Sequence, residues 1–205
     1  MRVHQDQLDK DHVNQLVDQI GAACEPGVNG RVCGPHCAIS CDACGSAKCQ
    51  CMCNHDCSNM QRMLSSSPDE FPIEQGIAPL VFELRRTGLY DPCWSCEGHI
   101  GQDGALWKKP QVWFYCKSGV HLRLLADLLK KMEFRKELSE PWAVVVTHSD
   151  ADNPDTTYAL RPRPEVTPEA RCSSLERLRS DVLAIACAVD GQIATMAKEL
   201  LDNIE

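Results

Sequence analysis

Nine cysteines fall within the 34 residues from Cys24 to Cys57, with His36 and His55 between them and no Phe, Trp or Tyr. A segment with so little apolar bulk cannot offset the entropy of ordering its own backbone. Any fixed shape it takes has to come from bonds to sulfur. Whether those bonds are to metal or to a second sulfur depends on the redox compartment. The start, MRVHQDQLDKDHVNQ, carries no apolar stretch of the length a secretory signal or membrane span needs, and no such run follows. The chain is therefore expected to be soluble and cytoplasmic, with no membrane partner. In that reducing setting its fourteen cysteines are expected to be metal ligands or buried thiols.

The cluster is spaced Cys24-x8-Cys33-x3-Cys37-x3-Cys41-x2-Cys44-x4-Cys49-x-Cys51-x-Cys53-x3-Cys57. Thiolates so close together on a turning backbone can converge on one tetrahedral ion, at Zn–S distances of about 2.3 Å. Neighbouring ions can share a bridging thiolate. The alternating Cys49-Gln50-Cys51-Met52-Cys53 run, the lack of aromatics and the small residues between ligands resemble the metallothioneins. That resemblance covers residues 24–57 and implies a thiolate cluster that buffers Zn(II) or Cu(I). Met52, Met60 and Met63 are soft donors of the kind Cu(I) accepts, although single methionines in a loop are expected to be incidental. Cys37-x3-Cys41-x2-Cys44 matches the spacing with which radical SAM enzymes hold an iron–sulfur cluster, but the βα barrel of that family has no counterpart here. The ferredoxin run is absent as well, so iron–sulfur ranks below Zn(II) and Cu(I).

A second group is of different character. Cys93-x2-Cys96-Glu97-Gly98 resembles a zinc knuckle, in which a glycine after the second cysteine lets backbone amides turn toward the sulfurs. His99 follows three residues after Cys96, and Cys116 ends the next strand. A hairpin through Asp103-Gly104 is expected to return Cys116 to the knuckle. Cys93, Cys96, His99 and Cys116 then form a closed, structural zinc site, with His121 as the reserve ligand. The alternative is a thiol redox or metal-dependent enzyme that uses Cys93 and Cys96, with Glu97 as base. Pro92-Cys93-x-x-Cys96 matches half of the zinc deaminase signature, but no His-x-Glu or Cys-x-Glu lies upstream. A thioredoxin-like pair opens a helix directly after a strand, whereas this pair follows a helix and a turn.

Periodicity places these groups in an α+β fold: a small sheet of about three strands flanked by helices, with a cysteine-rich metal-binding N-terminal segment and a long C-terminal helix. Residues 1–22 are expected to hold a helix ending near Gly21, 23–64 the cysteine-rich segment, 71–164 the α+β domain and 165–205 the long helix. Ser65 to Glu70 reads as a polar link. Ile73, Ile77, Leu80, Val81 and Leu84 mark a helical face closed by Gly88, with Pro79 against its first part. Asp91 to His99 reads as turn, Gln111–Cys116 as a buried strand and Ser118 as the cap of a helix buried through Leu122, Leu125, Leu128, Leu129 and Met132. Strands are expected at Trp142 to Thr147 and, antiparallel to it, Thr156 to Leu160. Asp150, Asp152 and Asp155 read as a polar hairpin turn, since the glycine and distal glutamate of a calcium loop are missing. Leu175 to Leu200 repeats at helical spacing for about 30 residues, roughly 45 Å. That length could pair with the first helix, a protein partner or a second copy. The net charge of −8 and the solvent-face arrangement of Lys130, Lys131, Arg135 and Lys136 argue against nucleic acid. Cys172, Cys187, His4 and His12 read as ordinary helix residues. The function expected is non-enzymatic metal binding.

Overall fold

The strand Gln111–Cys116 has Val112 and Phe114 fully buried while Gln111, Trp113 and Tyr115 are half-buried, the alternation of a strand with one covered face. A computed structural model, which describes residues 10–24, 64–67, 69–147, 155–163 and 174–204, makes this β4 the centre of an antiparallel sheet. On one side it pairs with β1 (Tyr90–Cys96), on the other with β6 (Thr157–Pro162). Strand β5 (Trp142–Val146) pairs with β6, so the order is β1-β4-β6-β5. Between β1 and β4 a separate two-stranded ribbon, β2 (His99–Ile100) with β3 (Leu106–Lys108), stands off the sheet edge.

Four helices are described: α1 (Lys10–Cys24), α2 (Ala78–Arg86), α3 (Gly119–Phe134) and α4 (Leu175–Asp202). The architecture is the α+β one expected from the sequence. The sheet face bearing Val112, Phe114, Trp142 and Leu160 shares one core with Phe82, Leu125, Leu128, Val182 and Ile185 of the helices. Full burial of each such side chain contributes about 1.5–3 kcal/mol. The other face, with Trp94, Trp113 and Tyr115, is only partly covered.

Local signals explain most boundaries. The Ser118 hydroxyl accepts from the amide of His121 at 3.2 Å and starts α3. Pro79 occupies the first turn of α2, where a missing N–H costs nothing, so the helix begins at Ala78 and Ile73 to Ile77 is an irregular approach. Gly88, at φ +69°, follows the end of α2. Gly21 does not end α1, which continues to Cys24; an interior glycine costs about 1 kcal/mol relative to alanine, and burial of Ile20 and Ala23 in the core offsets that. Helix α1 packs along α4, which is how part of the long helix's length is covered. Among the described residues no single helix is long and apolar enough to cross a membrane.

Two expectations change. The sheet has four strands, and the stretch from Asp91 that reads as turn is strand β1. Strand β1 lies at the sheet edge, where proline is tolerated, and a bulge at Cys93 carries the register from Pro92↔Phe114 to Trp94↔Trp113. Periodicity also gave no sign of Asp181. This carboxylate on α4 is 3% exposed and accepts from Ser139 N and Oγ, both at 2.8 Å, Trp142 Nε1 at 3.0 Å and Glu140 N at 3.3 Å. Those four donors offset the cost of burying the charge and fix α4 to the chain entering β5.

Candidate metal centre

Three donor groups converge where β1 ends. The irregular approach to α2 brings Glu74, the last residue of β1 is Cys96, and the first residue of β2 is His99. The link Glu97-Gly98 makes the convergence possible. Gly98 has φ +86°, and a Cβ there would stand 2.7 Å from Leu175 Cδ1, 2.9 Å from Pro110 Cδ and 3.0 Å from the Lys108 carbonyl. Only glycine fits that turn. One donor atom from each of Glu74, Cys96 and His99 then lies within 4.8 Å of the other two. His99 Nε2 is 3.1 Å from Glu74 Oε1, and Cys96 is 2% exposed.

The carboxylate is held from behind. Glu74 Oε2 accepts the Glu97 amide at 2.7 Å, which leaves Oε1 facing the histidine. Glu97 in turn accepts the Gly76 amide at 2.6 Å and pairs with the Arg179 guanidinium at 2.6 Å, so the two strands of chain carrying Glu74 and Cys96 are tied to each other and to α4. Partners of this kind orient metal ligands. Around tetrahedral zinc, N, O and S donors stand about 3.5 Å apart. The group needs only a modest contraction to reach that geometry.

A cavity of about 1000 Å³ opens beside the group, lined by Glu74, Cys96 and His99 together with Cys93, Trp94 and Arg85. Cys93 faces the cavity without joining the 4.8 Å group. Desolvation pushes its thiol above the usual range, the Asp91 carboxylate adds to the rise, and the amides of Cys93 and Trp94 oppose it.

The sheet register takes Cys116 out of the expected four-ligand set. Cys96 is opposite Gln111, and Cys116 is opposite Tyr90 at the far end of the ladder, about 20 Å away at the rise of a β-strand. The reversal at Gly101 to Gly104 does form, but it closes the β2–β3 ribbon, so β4 begins rather than ends beside Cys96. Cys116 Sγ donates to the Ser118 carbonyl at 3.3 Å. Its thiol is raised by burial, against the lowering effect of the Ser118, Leu122 and Lys117 amides. His121 is not near Cys96 either. It is buried under α1, with Nε2 2.8 Å from the Gln19 carbonyl. Burial holds it below the usual histidine range, the Gln19 carbonyl opposes this and Lys117 adds to it.

Cys24 ends α1, its Sγ 3.5 Å from the Ile20 carbonyl, and Cys187 is exposed on α4. Cys33, Cys37, Cys41, Cys44, Cys49, Cys51, Cys53 and Cys57 lie outside the described residues, as does Cys172. Glu74 is the participant that the sequence did not reveal. It is the only acidic residue between the polar link and Pro79, but nothing local marks it as a ligand; its role comes from the fold. No protein-family model, curated protein or solved structure matches the chain. The chemistry of the cluster rests on its own donors.

Proposed function

We propose that this is a cytoplasmic zinc-binding protein in which Glu74, Cys96 and His99 hold one Zn(II). The observation that carries the reading is the convergence of a carboxylate, a thiol and an imidazole within 4.8 Å, with the carboxylate oriented by the Glu97 amide. A mixed oxygen, sulfur and nitrogen set suits a borderline ion such as Zn(II) better than Cu(I), which prefers sulfur alone. Binding draws the proton from Cys96 and requires neutral His99, so affinity rises with pH. The ion cross-links the approach to α2, the end of β1 and the β2–β3 ribbon. The Cys24 to Cys57 segment is a separate thiolate cluster in this reading, for binding, sensing or delivering Zn(II) or Cu(I).

The test is native mass spectrometry with elemental analysis on protein purified without oxygen. Cys96→Ser and His99→Ala should each remove one zinc from the wild-type complement. Deleting residues 25–57 should leave that one zinc and remove the remainder. Wild-type metal content in both point variants would sink the assignment.

A further inference from the structure

Resting on the zinc reading above, we infer that the ion's fourth position opens into the adjoining cavity and takes an acidic oxygen from a small organic anion with an apolar body. Arg85 is the second group that holds it. Three described residues supply donors, and the same three line a space of about 1000 Å³, large enough for such a molecule. Cys93, a further sulfur among the described residues, lines the space outside the donor group.

Charge selects the ligand's sign. Zn(II) with the Glu74 carboxylate and the Cys96 thiolate is neutral overall. The side chain of Arg85, a half-buried residue of the wall, has no hydrogen bond or ion pair among the described residues. Lys108 stands over the Trp94 ring at 4.5 Å from its centroid, at the same wall. Against these two cations the remaining lining carboxylate is Glu70. An unpaired guanidinium on the wall of a cavity is a ready donor, and a carboxylate or phosphate oxygen is the partner its fork fits. Phe71, Pro72, Ile73 and Trp94 give the wall an apolar stretch beside Ser65, Ser66 and Ser95, which favours a hydrocarbon body over a bare inorganic ion.

The experiment uses the full chain loaded with Co(II) in place of zinc, because the visible bands of Co(II) report its coordination. Benzoate is the probe and benzyl alcohol the uncharged control. Benzoate should shift the bands saturably while benzyl alcohol leaves them unchanged. Arg85→Met should weaken the benzoate response at least tenfold with Co(II) affinity intact, and Arg85→Lys should restore part of it. Bands indifferent to benzoate, or an equal response in Arg85→Met, would overturn the inference. So would a response that appears only in Cys93→Ser, since the Cys93 thiolate would then be the fourth ligand. Equal Co(II) uptake in wild type and Cys96→Ser is a different result and removes the zinc reading itself, because the Cys24 to Cys57 segment would take up the ion in both.

Discussion

The β1–β4 ladder carries a cysteine at each end and a histidine near each cysteine, yet the two ends are chemically unlike. At the Cys96 end, Glu74 from one stretch faces Cys96 and His99 from another, and the oxygen of Glu74 nearest the histidine is not used by the backbone. At the Cys116 end the polar atoms are already engaged. Cys116 Sγ donates to Ser118, His121 Nε2 meets the Gln19 carbonyl, and the Tyr90 hydroxyl donates to the His121 carbonyl at 2.8 Å. Closeness of Cys and His along the chain is therefore not sufficient for a metal site, since Cys96–His99 and Cys116–His121 are both near pairs. What matters is whether lone pairs from separate stretches converge before hydrogen bonds consume them.

The sharpest way to break this contrast is to remove one thiol from each end. Cys96→Ser or His99→Ala should weaken Zn(II) binding at least 1000-fold, about 4 kcal/mol, in competition with a chromophoric chelator. Cys116→Ser should leave the affinity within about twofold, because its sulfur lies at the opposite end of the ladder. Equal losses from the two serine variants would mean that the register places the ends wrongly.

Gly98→Ala comes next. It combines a positive φ with contacts under 3.0 Å to Leu175 and Pro110 and one at 3.0 Å to a backbone carbonyl that cannot move away cheaply. Strain and overpacking together should cost about 2–4 kcal/mol, read as a lower urea midpoint. The same substitution at Gly104, also at positive φ but with nothing within 4 Å, should cost less because only the backbone term remains. A smaller effect is expected for Glu97→Gln. The exchange keeps the Glu97 amide that orients Glu74 but weakens the pairing to Arg179 and Gly76, so Zn(II) affinity should fall about 10-fold to 100-fold, with Cys96 and His99 untouched. An unchanged affinity would show that these contacts do not position the carboxylate.

How much of this was legible in the residues differs between fold and site. Helix periods, the Ser118 cap and the central strand are local properties, so they can be read directly. Strand β1 was hidden because Pro92 and Gly98 signal a turn, and only its place at the sheet edge makes those residues compatible with pairing. Cys96, His99 and Gly98 could be singled out from spacing as a candidate group. Glu74 and Asp181 could not, since each acts on groups brought close by tertiary structure: Glu97 and His99 for the first, Ser139 and Trp142 for the second. Cys116 shows the converse error, because a hairpin can be foreseen while its register, which decides what sits beside what, cannot.

The smallest effect belongs to the Cys116 end of the ladder, and it is a matter of pH. His121 is held below the ordinary histidine pKa of about 6.5 by burial, with Lys117 adding and the Gln19 carbonyl opposing. The unfolded chain therefore takes up this proton first as the pH falls. Stability contributed by keeping the ring neutral is fully present above about pH 6.5 and is lost as the pH drops through the folded-state value. The groups facing the ring are the Gln19 carbonyl from α1 and Lys117 from the loop before α3, with the Tyr90 hydroxyl bonded to its own carbonyl. Nδ1 has no hydrogen-bond partner among the described residues, so no carboxylate is there to stabilise the imidazolium. Urea titrations of metal-free wild type and His121→Gln at pH 8, 6.5 and 5 would isolate the effect. The stability difference between the two proteins should shrink or reverse toward pH 5, while chelatable zinc at pH 8 stays the same in both. A difference that stays constant with pH would show that His121 keeps its usual proton affinity. A loss of zinc in the variant would tie the two ends of the ladder together and undo the contrast between them.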